Sequence, residues 1–419
     1  MNIILSRHKG KGKTTLLSIA NRESVTGGLR LLRYMLMLLM MMVGVYVWGQ
    51  TTISDVEGLN AMTATGSYKI TKDFDATGYT ANISNFSGTL TAQANADGTY
   101  PVISGLRKPL FNSINGGTVS NIMFKDITVS GSGPIGAICG TANGATRIYN
   151  CGILPTTTTY DDKGNITGFT GSSVSSSNGY CGSLVGLLDG TNTTDKPRVI
   201  NCFSYANITG GTTVAGIVGY NNYASDASKS NNAYTKLRTM VVNCMFYGDI
   251  TGGNPKYPVY GGSLISNEGS SGINTYTYFR KGASFDDAYT AIEDYNRSWP
   301  AEEKDLVRFE YYRSILNSNR RLCTWWVNGT DGTAPSDANI TSVGIAKWVI
   351  DPTIAPYPIL KKWGKYPSII NQDPDKVWNP RTKSMIDRSS ANAREGRSTE
   401  TLKVVIKGGS NNGSAPDVT

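Results

Sequence analysis

Ile200-Asn201-Cys202, Asn207-Ile208-Thr209-Gly210 and Ala215-Gly216-Ile217-Val218-Gly219 follow one another without a helix-length apolar run between them, and the same trio recurs along the chain. The first element returns as Tyr149-Asn150-Cys151 and Val242-Asn243-Cys244, and earlier, without the cysteine, as Ser120-Asn121-Ile122. The second returns as Asp126-Ile127-Thr128, Asn165-Ile166-Thr167-Gly168 and Asp249-Ile250-Thr251-Gly252, at spacings of 39, 42 and 42 residues. The third returns as Gly136-Ala137-Ile138-Cys139-Gly140, Gly182-Ser183-Leu184-Val185-Gly186 and Gly262-Ser263-Leu264-Ile265-Ser266. A period of this length marks a solenoid, in which each unit buries its apolar face only against its neighbours.

Each run is strand-length and bounded by Gly, Asn or Ser, so the unit reads as three short strands and the stack as a parallel β-helix. Two inward ladders are expected: Ile127, Ile166, Ile208 and Ile250, and then Ile138, Leu184, Ile217 and Leu264. The connections vary, with 10 residues from Gly140 to Asn150, 15 from Gly186 to Asn201 and 24 from Gly219 to Asn243. Insertions that project from constant strands leave such a stack intact.

The Asn row (Asn121, Asn150, Asn201, Asn243) reads as structural. Asn tolerates left-handed backbone at a corner, and stacked amides satisfy one another, whereas a row of amides offers neither base nor nucleophile. The Cys151, Cys202 and Cys244 row reads as small core side chains with free thiols, because side-by-side Cβ vectors suit a disulfide poorly.

Phe86-Ser87-Gly88-Thr89-Leu90, Val102-Ile103-Ser104-Gly105-Leu106 and Pro109-Leu110-Phe111, with Gly182–Gly186, Ile200–Cys202 and the ending Tyr357-Pro358-Ile359-Leu360-Lys361-Lys362-Trp363, resemble GLUG-motif surface proteins. Ser183, Ala137 and Ser263 depart from that motif's second glycine. The resemblance covers roughly residues 55–370. It implies a right-handed β-solenoid in a secreted or surface protein, often adhesin-like, with no catalytic residue to transfer.

The formal charge of +9 comes mostly from residues 1–49, which carry seven basic side chains and one acid; the rest holds 33 basic against 30 acidic residues. No basic patch remains to argue for nucleic acid. The uncharged run Tyr34–Gln50 after this basic stretch reads as a secretory signal, cleaved between Gly49 and Gln50, rather than as an anchor. Gly12-Lys13-Thr14-Thr15 imitates a phosphate loop but has Arg7 where the pattern needs glycine. His8 is the one histidine, so residues 50–419 contain none. That excludes Ser-His-Asp and Cys-His catalysis there, along with the commonest transition-metal ligand.

Further boundaries follow from composition. The β-solenoid is expected over 50–370 with a helical insertion at about 284–322, where Pro300-Ala301-Glu302-Glu303-Lys304-Asp305 opens a helix with Leu306, Phe309, Tyr312 (or Arg313) and Leu316 on one face. This flap covers a solenoid edge. Trp325-Trp326-Val327 and Ala346–Ile350 return to the sheet, 371–400 is a linker, and Thr401–Lys407 starts a further, truncated β element in 401–419.

The acid pairs Asp161-Asp162 and Asp373-x-Asp375 are the remaining route to chemistry. Neither fits a calcium loop, and solvated loop acids are expected. No catalytic, cofactor-binding or metal-binding residue is therefore assigned, and no cofactor is expected. The functional expectation is an exported, non-catalytic adhesion or interaction scaffold on the outer surface of a Gram-negative bacterium. It would contact an extracellular glycan or protein through loops Gly152–Lys163 and Asn221–Thr239 with Tyr160, Tyr223 and Tyr234, without nucleic acid or membrane after signal cleavage. The competing expectation is a polysaccharide lyase or glycoside hydrolase on the same fold, which needs acids clustered on one outer face.

Overall fold

The computed structural model describes residues 49–162, 165–191, 196–222, 240–262, 277–282, 298–306, 317 and 345–362, with short strands at 376–379 and 384–387. The chain divides into Met1–Gly49 and Gln50–Thr419, and everything below belongs to the second unit apart from Gly49 at its boundary. That unit is an all-β parallel β-helix. A complete coil has five strands, as in Arg198–Ile200, Phe203–Ser204, Asn207–Gly210, Thr213–Ala215 and Val218–Asn222. The three strands expected per coil undercount it, because Phe203–Ser204 and Thr213–Ala215 are too short to stand out as apolar runs.

Stacking these strands gives five parallel sheets of seven, eight, four, three and five strands, numbered here in the order a coil visits them. In the first, Tyr68, Leu90, Val119, Ile148, Val199 and Val241 share one register row. All six are buried. A short helix, Val56–Asn60, lies beside the first strand; Asp55 accepts a hydrogen bond from the Gly58 N–H at 2.8 Å, and Leu59 is buried. An acceptor at that position satisfies one of the orphan donors of the first turn.

The Asn row is the polar spine of the stack. Asn121, Asn150, Asn201 and Asn243 all have φ between 55° and 62°. In this left-handed region a Cβ normally costs about 1–2 kcal/mol, and Asn is among the few residues that visit it. Nδ2 of Asn150 donates to Oδ1 of Asn121, Asn201 to Asn150, and Asn243 to Asn201, each at 2.8 Å. Asn121 closes the row on Thr91 at 3.1 Å.

Both expected ladders need correction. The third-sheet row is Val129, Val174, Ile208 and Ile250. Ile166 belongs to an antiparallel hairpin, Thr157–Tyr160 with Ile166–Thr170, that is inserted into its coil and lies outside the stack. Asn165–Gly168 copies the repeat string, but the coil is completed eight residues later by Ser173-Val174-Ser175-Ser176. Ile127 is buried at the corner two residues before the row. In the last ladder Ile138, Leu184 and Ile217 do stack, and their successor is Val259, whose carbonyl accepts from the Ile217 N–H at 2.7 Å. Leu264 lies outside the described residues. The glycines of this element are required by close approach: a Cβ on Gly186 would sit 2.3 Å from the Ile135 nitrogen, and one on Gly219 2.6 Å from the Cys181 nitrogen.

Cys139, Cys151, Cys181, Cys202 and Cys244 are free and buried. Burial pushes the Cys181 thiol up to about 12 and those of Cys151 and Cys202 well above the ordinary range. Since the thiolate is the reactive form, these positions should resist an aromatic disulfide reagent in native protein at neutral pH and react fully in denaturant. Rapid native labelling of a Cys323→Ser variant would show the core to be open.

The C-terminal half departs further from expectation. Trp299–Ala301 is a strand, so Pro300 does not start a helix; the strand ends the second sheet among the described residues, where a missing N–H is tolerated. The helix runs Glu303–Leu306. Phe309, Tyr312 and Leu316 lie outside the described residues, as do Trp325–Val327 and 401–407. Lys347–Val349 does not rejoin the sheets: it pairs antiparallel with Ile359–Lys361. Within the expected linker, Lys376–Asn379 and Ser384–Asp387 form another antiparallel pair.

Candidate functional site

Strands of the second sheet such as Met245–Phe246 are apolar on both faces, while in Phe203–Ser204 the buried Ser204 takes the interior place. Ile103, Phe124, Ile153, Phe246 and Phe279 share the row that faces the coil interior, while Met123, Phe203, Met245 and Tyr278 occupy the adjoining outer row. The outer row, with Tyr205 and Tyr247, is covered by the inserted hairpin through Ile166 and Phe169, and by Ile345–Lys362 through Trp348, Tyr357 and Leu360. A second apolar core therefore lies outside the coils. Phe169 meets Tyr205 edge-on at 4.7 Å, and Tyr205 lies 4.5 Å from Tyr247.

Residues 345–362 act as a clasp, and each of its turns is anchored. The Ala346 N–H donates to Oδ1 of Asn150 at 3.0 Å and its carbonyl accepts from Nδ2 of Asn201 at 3.1 Å, so the Asn spine holds it. Asn317 pairs with both backbone groups of Trp348, at 2.9 and 3.0 Å. The Tyr205 hydroxyl accepts from the Tyr357 N–H, and the Tyr247 hydroxyl donates to the Pro358 carbonyl, both at 3.0 Å.

The charged groups of the site gather at the edge of this core. Oε1 of Glu303 accepts from the Ile166 N–H at 3.1 Å, tying the short helix to the hairpin. Arg280, buried, donates to the Tyr247 carbonyl at 2.8 Å and to Oδ1 of Asp249 at 3.0 Å, with its guanidinium 5.6 Å from the Phe169 ring centre. Burial, and then the Glu303 charge, hold the Tyr357 phenol far above its usual range; burial raises Tyr160 as well. Phenols kept neutral beside a carboxylate can donate hydrogen bonds, so the cluster is suited to holding and recognising polar groups.

Of the acids singled out by sequence, Asp161 closes the hairpin tip: its two carboxylate oxygens accept from the backbone and side-chain nitrogens of Asn165, each at 2.8 Å. Asp373 and Asp375 lie outside the described residues, as do Tyr223 and Tyr234 and most of Asn221–Thr239. Of loop Gly152–Lys163, Gly152–Ile153 is a strand of the second sheet and Thr157–Tyr160 a strand of the hairpin, and Tyr160 is half-buried near Glu303. The residues that sequence reading missed are Glu303, Arg280, Asp249 and the outer aromatics. For the aromatics the one local signal was an uninterrupted apolar run such as Cys244-Met245-Phe246-Tyr247, which marks a strand covered on both faces.

Fold and site thus define a parallel β-helix with an aromatic outer core under a clasp. Residues 56–153 match the model of the N-terminal region of M26 IgA1-specific metallo-endopeptidases. An immunoglobulin A1 protease of Streptococcus sanguinis is 46% identical over 54 residues, 13% of this chain and 3% of that protein. One of Streptococcus pneumoniae is 36% identical over 67 residues, 16% and 4% respectively. The chain thus spans only a few percent of the length of these curated relatives. A crystallised Bacteroides ovatus protein described as a candidate immunoglobulin A1 protease is 13% identical, covering 62% of this chain and 86% of that one, with a TM-score of 0.37.

The matches are with a bacterial surface or secreted protein family. They overturn the expected non-catalytic adhesion or interaction scaffold, and the polysaccharide-cleaving alternative with it, since the relatives are named as peptidases. The sequence misled because coil repeats report stacking and carry no reaction. A metallo-endopeptidase name implies a metal, and the residues present do not fit one. The helical His-Glu-x-x-His arrangement needs two histidines, and the chain has His8 alone. Among the described residues no three His, Cys, Asp or Glu side chains are grouped to hold an ion.

Proposed function

We propose that this chain serves the proteolysis of immunoglobulin A1 outside a bacterial cell, its coil stack being the rigid substrate-engaging body of an IgA1-protease-like enzyme. The observation that carries this reading is the N-terminal-region match over 56–153, which spans the helix and the coils as far as Gly152–Ile153. A metal-bearing unit with the histidines that these 419 residues lack supplies the cleavage. Residues 1–49 export the chain, and the GLUG-like coils display it on a Gram-negative surface with Gln50 as mature N-terminus. The outer clasped face supports this role: Tyr160 and Glu303 offer a donor, an acceptor and aromatic area on a rigid base.

The test compares the producing strain with one that lacks this chain, each incubated with immunoglobulin A1 with and without a chelator. The expected result is chelator-sensitive fragments from the parent only, together with retention of intact immunoglobulin A1 by the purified chain. Equal fragmentation by both strains, with no retention, would overturn the proposal.

A further inference from the structure

We infer that Lys361 and Asp351 are placed to condense into an intramolecular amide bond that locks the clasp shut. Nζ of Lys361 lies 2.8 Å from Oδ2 of Asp351, and the two side chains are only 8% and 2% exposed. The other carboxylate oxygen is separately held: Oδ1 of Asp351 accepts from the Thr353 N–H at 3.1 Å and from the Thr353 hydroxyl at 2.5 Å. One oxygen thus faces an amine while its twin sits in a pair of fixed donors, an arrangement that stabilises a developing oxyanion.

Three other Asp-x-Thr turns build the same donor pair, at Asp75, Asp97 and Asp189. Among the described residues only Asp351 adds a buried lysine at its second oxygen. The step begins with passage of one proton from Nζ to Oδ2 across this 2.8 Å contact, which leaves an amine facing a carboxylic acid. The amine nitrogen then attacks Cγ, and Oδ1 takes the negative charge under the two Thr353 donors. A second Nζ proton passes to the Oδ2 hydroxyl, the Cγ–Oδ2 bond breaks, and water leaves. The ion pair becomes one amide and one water, with no oxidant or cofactor. Fixed contact between the reacting groups replaces a bimolecular encounter.

The bond has a structural use. The clasp holds the aromatic outer core shut, and the five described cysteines form no disulfide that would staple it. The inference stands independently of the proteolytic reading.

Intact-mass and peptide-mapping spectrometry of the purified full chain tests it. The expected mass is short by one water, with a branched peptide joining the segments that contain Asp351 and Lys361. K361R restores the full mass, because guanidinium does not acylate, and T353A lowers the joined fraction. D351N is no blank, since its amide can give the same bond with loss of ammonia. A wild-type protein of full sequence mass overturns the inference whether or not any variant folds, as does a water loss that maps to other residues.

Discussion

Replacing Asn201 with alanine should lower the free energy of unfolding by about 5 kcal/mol, among the largest effects of any single polar substitution in the stack. The side chain is 1% exposed and links three elements: it donates to Asn150, accepts from Asn243 and holds the Ala346 carbonyl. Removing it leaves the Asn243 amide and the Ala346 carbonyl short of a partner in a buried place, at roughly 1–3 kcal/mol each. Alanine also meets the left-handed φ of 56°. Asn201→Gly separates the two causes, since glycine relieves the backbone strain and leaves the hydrogen-bond loss. Urea unfolding of residues 50–419 reads both variants; a cost below about 1 kcal/mol for alanine would show that the spine contributes little.

Ile208→Asp should cost a similar amount, about 4–5 kcal/mol, for a different reason. Ile208 is fully buried between Val174 and Ile250 in its row. An aspartate there loses the apolar burial and places an uncompensated carboxylate in the core, with strands above and below that offer no cation. Stability should recover partly as pH falls, because protonation removes the charge while the lost packing remains. A variant that unfolds at the wild-type urea midpoint would place Ile208 outside the stack. The corresponding change at Ile166 should be milder, as that residue belongs to the inserted hairpin rather than to a coil.

The contrast between these isoleucines shows how far sequence pattern reaches. Both sit in an Asn-Ile-Thr-Gly string, and only one lies in the ladder. Strings of four residues satisfy β-strand preferences equally well in a coil or in a hairpin. The choice was made by the strands above and below, where Val129 and Ile208 align with Val174. The same limit misplaced the last ladder, where Gly262–Ser266 imitates the motif and Val259 is the residue that stacks. The Asn row escaped this ambiguity because it was marked twice, by an amide and by a left-handed corner that few other residues adopt.

The candidate site was less legible than the fold. Glu303, Arg280 and Asp249 stand far apart in sequence, and no local spacing relates them; Arg280 reaches Asp249 and Glu303 reaches the hairpin because the second sheet continues through Tyr278–Arg280 and Trp299–Ala301 after the other four sheets have ended among the described residues. Asp161-Asp162 looked like chemistry because the acids are adjacent in sequence, yet Asp161 serves to close a turn. Ala346–Ile350 has the composition of a strand that returns to the sheet, yet it packs outside it. Nothing local reveals that a strand will lie on the outside of a sheet instead of joining its edge.

By itself, then, the sequence determined the period, the parallel stack and its polar spine, because each depends on contacts between equivalent positions of neighbouring repeats. It also determined that residues 50–419 contain no histidine. Only the tertiary structure decided that a coil has five strands, that the second sheet is buried on both faces, and that a clasp ties Asn150 and Asn201 to Ala346. Those features come from packing between segments without a shared period, and packing of that kind is settled by shape and by the burial of groups that meet only once the chain has folded.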